Sequence, residues 1–128
     1  AADERQESEK EVLDFIKETL GDKVVDVRVS RTLKTHAVAL SADGDVSLEM
    51  EKYFASVPVP DHDRVKARRV LEVNVDHPAY SALKKAYSED KDKAKDLAEI
   101  MYDQAVLVAG MPLDDMPGYS DRVFKLFG

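Results

Sequence analysis

The stretch 93–110, KAKDLAEIMYDQAVLVAG, sets the hardest condition on how this chain can fold. At ~1.5 Å per residue it predicts a helix of roughly 25 Å, apolar at Leu97, Ile100, Met101, Ala105 and Val108 in the i, i+3, i+4 order of one buried stripe. From Ala105 to Ala109, however, the run AVLVA is apolar all round, so this half of the helix needs cover from more than one direction. The segment 119–127 follows, with Tyr119, Val123, Phe124 and Phe127 on one side and Arg122 and Lys125 on the other. A helix of roughly ten residues is marginal alone in water, so it must dock. Cover comes either from the rest of the chain or from a second molecule.

The rest of the chain has little to spare. A length of 128 residues with 44% hydrophobic and 35% charged residues suffices for one core, which predicts a single domain over 8–128 preceded by a frayed tail at 1–7. A net charge of -7 argues against a nucleic-acid or anionic-membrane partner, because such binding draws on clustered Lys and Arg. Arg64, Lys66, Arg68 and Arg69 form the one basic cluster and read as a solvated loop. The absence of cysteine fits a reducing cytosol, and cytoplasmic residence is the expectation. No apolar run approaches the ~20 residues of a membrane span, and AADERQESEK is charged where a signal peptide is apolar. The start on Ala1 suits an excised fragment.

Ser8 and Glu11 have the S-x-x-E spacing of a capping box, and Val12, Phe15, Ile16 and Leu20 follow at helical spacing up to Gly21, a left-handed cap. VVDVRVS then alternates Val25, Val27 and Val29 with polar residues as a strand does, AVALS predicts a second strand, and the link of about seven residues suits antiparallel pairing. VLEVNV at 70–75 predicts a third. Between the last two, Asp43, Gly44 and Asp45 form a turn whose aspartate can cap a helix bearing Val46, Met50, Tyr53, Phe54 and Val57 on one face, stopped by Pro58 and Pro60. An irregular loop over 58–69 comes next. Asp76, His77 and Pro78 then open a short helix through Tyr80, Leu83 and Tyr87. Three strands with helices around them predict an α+β fold.

Catalytic chemistry finds no carrier in the sequence. His36, His62 and His77 lack metal-ligand spacing and have no cysteine to join them, so they read as surface or capping groups. The isolated glycines form no phosphate loop, and D-G-D at 43–45 does not continue into a calcium-binding pattern. Asp103 and Gln104, polar within the main helix, read as groups bonded to neighbouring backbone or set at a wet edge, rather than as a buried acid and its partner. Two features can carry binding. The stripe of Val46, Met50, Tyr53 and Phe54 is either core or an adaptable contact surface, to which Met lends plasticity. The C-terminal helix pair can meet its copy across a two-fold axis, making a four-helix seam of Leu97, Ile100, Met101, Ala105, Val108, Tyr119, Val123, Phe124 and Phe127.

GDKVVDVRVSRTLKTHAVALSADGDVSLEMEKYF, LEVNVDHP and YDQAVLVAGMPLDD together resemble the C-terminal domain of the heat-shock protein 90 family, most closely its bacterial HtpG type, over about residues 13–126. The DVRVS strand, the N-x-D-H-P turn at 74–78 and the YDQA helix at 102–105 carry the resemblance. It implies a three-stranded antiparallel sheet with flanking helices, ending in a helix pair that dimerises an ATP-dependent chaperone of the stress response. It also implies that Val46, Met50, Tyr53 and Phe54 contact unfolded client proteins, which favours contact surface over core. ATP and magnesium belong, in that family, to domains outside this chain, so no cofactor and no enzymatic activity are expected of it alone. Two departures stand out: Asp115 is followed by Met116 before Pro117, where the family places Asp-Pro directly, and no Met-Glu-Glu-Val-Asp tail follows, so tetratricopeptide co-chaperones are not implied. A bacterial or organellar origin fits this better. The alternative is a monomeric binding adaptor whose C-terminal helices close its own core, with AVLVA fully buried inside one chain.

Overall fold

The third strand, not the first pair, organises the sheet. The computed structural model describes residues 2–57 and 66–127. In it β3 (Arg68–Val73) lies between β1 (Asp26–Val29) and β2 (Val38–Asp43), in the order β1-β3-β2. β2 runs antiparallel to β3, from Val38 opposite Val73 to Asp43 opposite Arg68. β1, by contrast, runs parallel to β3, from Asp26 opposite Val70 to Val29 opposite Val73. The α+β class with three strands therefore stands, but the sheet is mixed, and the expected hairpin of the first two strands is not formed.

The physical reason lies in β3 itself. Val70 and Leu71 are adjacent and both fully buried, and adjacent strand residues point to opposite faces. A strand covered on both faces belongs in the middle of a sheet. Its two consecutive apolar residues were the available signal, which a reading by strict alternation passes over. Asn74, buried just after β3, completes the arrangement: its Nδ2 donates to the carbonyl oxygens of His36 at 3.1 Å and Lys34 at 3.4 Å, and its own N–H donates to Ala37 at 2.9 Å. One side chain thus ties the 30–37 link to the end of β3, where a hairpin would have brought it back along β1.

Helices cover the sheet. α2 (Lys10–Leu20) buries Val12, Leu13, Ile16 and Leu20, and α4 (Pro78–Glu89) buries Tyr80, Leu83 and Ala86. As expected, Gly21 ends α2 with φ +58°, and His77 opens α4 by accepting from the Ala79 N–H on Nδ1 at 2.9 Å, with Pro78 in the first turn. The Ser8–Glu11 capping box does not form. Residues expected as a frayed tail instead make α1 (Ala2–Ser8), which passes into α2 through the bonds Glu9 N–H to Arg5 and Leu13 N–H to Glu9. Ser8 points its hydroxyl back to Arg5, and Glu9 takes the position between the helices. Tertiary contacts rescue a helix too short to stand alone: Gln6 Oε1 accepts the Val29 N–H of β1 at 2.8 Å, and Arg5 pairs with Asp76.

α5 (Lys91–Val108), capped by Asp90, crosses the middle of the molecule and packs against α2, α4 and β2. Its inward face is Ala94, Ala98, Met101, Tyr102, Ala105 and Val106. That face is rotated from the predicted stripe, because alanines, weak signals of burial by themselves, let neighbouring elements come close. α6 (Met116–Lys125) ends the described chain. The expected stop at Pro58 and Pro60, with His62, Arg64 and the loop up to residue 65, lies outside the described residues. Within the basic cluster Arg68 and Arg69 belong to β3, and Arg69 is partly buried rather than solvated.

Glu9 makes the contact between α1, α2 and α4 dependent on pH. Its carboxylate accepts from the Tyr80 hydroxyl at 2.8 Å and lies 3.0 Å from Lys84 Nζ. Burial alone would raise its pKa, but the hydrogen bonds from Lys84 and Tyr80 outweigh that and hold it below the ordinary value of 4.5. A carboxyl depressed in the folded state stabilises above its unfolded pKa, and that contribution is lost as pH falls through the folded value. Urea midpoints measured from pH 7 to pH 3 should therefore drop more steeply for the native chain than for Glu9→Gln, with the two curves converging in acid.

Candidate functional site

The last helix docks with its polar side inward. Asp115 caps α6 by accepting from the Gly118 N–H at 3.0 Å, and a Cβ on residue 118 would run into that carboxylate, so glycine suits the turn. The insertion of Met116 before Pro117 leaves the start intact, since both residues lie in the first turn. From there Arg122 reaches between two carboxylates of α5, with Nη2 3.0 Å from Asp103 and Nη1 3.4 Å from Glu99. Lys125 Nζ lies 2.9 Å from Asp96, and Gln104 donates to the Tyr119 hydroxyl. The hydrogen bond to Asp96 raises the Lys125 ammonium above the ordinary lysine value. Because partners advance along α6 as they retreat along α5, the two helices are antiparallel. Asp103 is therefore a buried acid with a cationic partner, against the expectation of a wet edge. No local pattern in α5 announces this partner, which lies 19 residues on.

The apolar side of α6 consequently faces out. Phe124 is 66% and Phe127 80% exposed, their rings 5.5 Å apart, while Tyr119 and Val123 are half-buried. On α5, Val108 is 74% exposed and Leu97 and Ile100 are half-buried beside it. These lie along an apolar groove of about 320 Å³ between α5, α4 and His36–Val38. Of the residues expected on this face, Ala105 is wholly enclosed, and Met101, buried in the chain's own core, reaches it only at the lining of the groove. Conversely Leu107, Met116 and Leu126 are exposed large apolar residues that the stripe reading omitted, although Leu107 sits inside AVLVA. That run is accordingly split: Ala105 and Val106 close the core, whereas Leu107 and Val108 remain open.

A second apolar surface lies on α3 (Leu48–Ala55), capped by Ser47, which accepts from the Met50 N–H at 3.1 Å. Asp45 does not cap it. Met50 is 43% and Tyr53 65% exposed, and Phe54, half-buried, meets Tyr53 edge-on at 5.3 Å. Val46 precedes the helix and is half-buried. The side turned inward holds Leu48, packed on the main core, and Glu51.

Among the described residues no group of three or more His, Cys, Asp or Glu could hold a metal ion, and no helix is long and apolar enough to cross a membrane. His77 is spent on its cap, His36 borders the apolar groove, and Asp43 faces Arg28 at 3.5 Å. Replacing Arg122 with Met would leave buried Asp103 and half-buried Glu99 without their arginine, with an expected loss of about 1–3 kcal/mol. Urea denaturation measures that loss, and hydrogen exchange should show it concentrated in α6.

The family described as Hsp90 protein matches residues 1–128. A chaperone protein HtpG of Clostridium acetobutylicum is 41% identical over 130 residues, which cover 98% of this chain and 20% of that protein. Those of Shouchella clausii, 43% identical over 130 residues, and Bacillus subtilis, 37% identical over 125, are likewise matched over 20% of their length. The chain thus spans about a fifth of the HtpG proteins it matches. It belongs to the Hsp90 family of chaperones.

Proposed function

We propose that this chain is the C-terminal dimerisation domain of an HtpG-type chaperone, joining two copies through α5 and α6 and offering α3 to unfolded client proteins. The observation that carries the reading is the inward polar side of α6. It leaves Phe124 and Phe127 in water at the Asp96 end of α5 and Val108 exposed toward its other end, with Leu97, Ile100, Tyr119 and Val123 partly covered. Exposed aromatic and aliphatic residues gathered on one face mark an interaction site. Each fully buried large side chain contributes about 1.5–3 kcal/mol, and association costs roughly 4–15 kcal/mol, so several must be covered together. A two-fold axis does this, since every residue covered on one copy is covered on the other.

The adaptor alternative required AVLVA to be fully buried within one chain, and the exposure of Leu107 and Val108 speaks against it. ATP binding and hydrolysis we assign to parts of the full-length protein outside this chain. Holding two chains together makes the meeting of such parts an intramolecular event, with the gain in effective concentration that follows. The setting we propose is the bacterial cytoplasm, in keeping with the bacterial relatives and the cysteine-free composition.

Sedimentation equilibrium at micromolar concentration should return twice the chain mass of 14.3 kDa, and a monomer there would overturn the reading. Phe124→Glu or Phe127→Glu should halve that mass without changing the circular dichroism, since both side chains already lie in water within one copy. For α3, Met50→Ala with Tyr53→Ala should reduce capture of a reduced and alkylated, permanently unfolded protein several-fold. Tm should hold, and a large fall in it would show instead that the two residues belong to the core.

A further inference from the structure

α3 is an amphipathic helix attached by its wrong side. Its apolar residues Met50 and Tyr53 face out, and the residue most buried on it is an acid, Glu51. Both carboxylate oxygens of Glu51 are engaged: Oε1 accepts the Ala67 N–H at 2.9 Å, and Oε2 accepts from Arg69 Nη2 at 2.5 Å. Arg69 is itself fixed from behind, its Nη1 donating to the hydroxyl of Tyr102 at 2.8 Å, and Tyr102 is buried on α5. A line of polar contacts therefore runs from α3 through β3 to the helix at the centre of the core.

Among the described residues little else holds α3 down: Leu48, at its first turn, packs on the main core, but the helix forms no extensive packing with any other described element. Beneath it runs a crevice of about 540 Å³, bordered by Lys52, Ala55, Lys66, Lys23 and Pro112 and crossed by the Glu51–Arg69 pair. A helix so poorly packed would lower its energy by turning Met50 and Tyr53 toward the body, were apolar burial the only force acting. At about 100° per residue, Met50 and Tyr53 stand roughly 100° and 160° around the axis from Glu51. Any roll that buried them would withdraw the carboxylate from Arg69 and leave a partly buried guanidinium without its anion, and a desolvated charge resists that strongly.

We propose that Glu51 is a positioning residue: gripped by Arg69, which Tyr102 backs, it fixes the rotation of α3 and so keeps Met50 and Tyr53 presented to the solvent. Which partner those two residues meet rests on the client reading given above, whereas the clamp itself does not.

The test is hydrogen exchange on the whole chain, with Glu51→Gln, Arg69→Met and the pair together. Each single change should speed exchange of the α3 amides about tenfold, the double change should add nothing further, and the amides of α5 and β3 should keep their protection. That shared, local effect separates a clamp from a general loss of stability. Unchanged α3 exchange, additive effects of the two changes, or equal acceleration throughout the core would each overturn the proposal. Capture of the reduced and alkylated protein is measured alongside and should fall for both single variants. If Met50→Ala with Tyr53→Ala leaves capture intact, the client reading fails, and the exchange result still decides the clamp.

Discussion

Arg122, set between Glu99 and Asp103, decides which side of the last helix meets water. A short amphipathic helix at the end of a chain would ordinarily lay its apolar side on the nearest core. Here the guanidinium and the Lys125 ammonium take that position against acids of α5, and the phenylalanines are left over. The arrangement is possible because Arg presents several donors in a planar fork that two carboxylates can share. Releasing α6 would part Asp103 from the guanidinium that it holds at 3.0 Å, so the helix stays down although Phe124 and Phe127 gain nothing from being there.

The same physics recurs at α3, where Glu51 and Arg69 stand in for the apolar contacts that usually seat a helix. Two helices in one small domain thus have their polar sides in and their apolar sides out, and each exposes at least one aromatic residue beside an aliphatic or thioether neighbour. A domain of this size has one core to offer, and α2, α4, α5 and the sheet fill it. Additional apolar residues can be retained on the surface only if something other than burial positions them, and charge pairs with desolvated partners meet that need.

The predicted elements were largely right in kind. The strands, the main helices, the His77 cap and the left-handed Gly21 all follow from local chemistry, namely side-chain period, capping geometry and glycine's freedom at positive φ. Apart from the α3 cap, which passes from Asp45 to Ser47, failures lay where the partner is far away in sequence. The parallel pairing of β1 with β3 depends on β3 being buried on both faces, and α1 is a helix only because Gln6 and Arg5 find Val29 and Asp76. The stripe on α5 was misjudged by its alanines, whose burial reflects how closely α4 and the sheet approach.

For the candidate surfaces the division is sharper. Sequence by itself determined that α3, α5 and α6 are amphipathic and that AVLVA carries more apolar surface than one stripe can hide, because period and composition are local properties. It also carried the family resemblance. Which face of each helix points inward was decided only by the tertiary structure. Apolar and polar sides are both visible in a helical repeat, but whether a charged side turns inward depends on a counter-charge at the right height on another element. Asp103 and Glu99 supply it for Arg122, and Arg69 supplies it for Glu51. With those partners in place, Ala105 and Met101 went to the core and Val108, Phe124 and Phe127 to the surface.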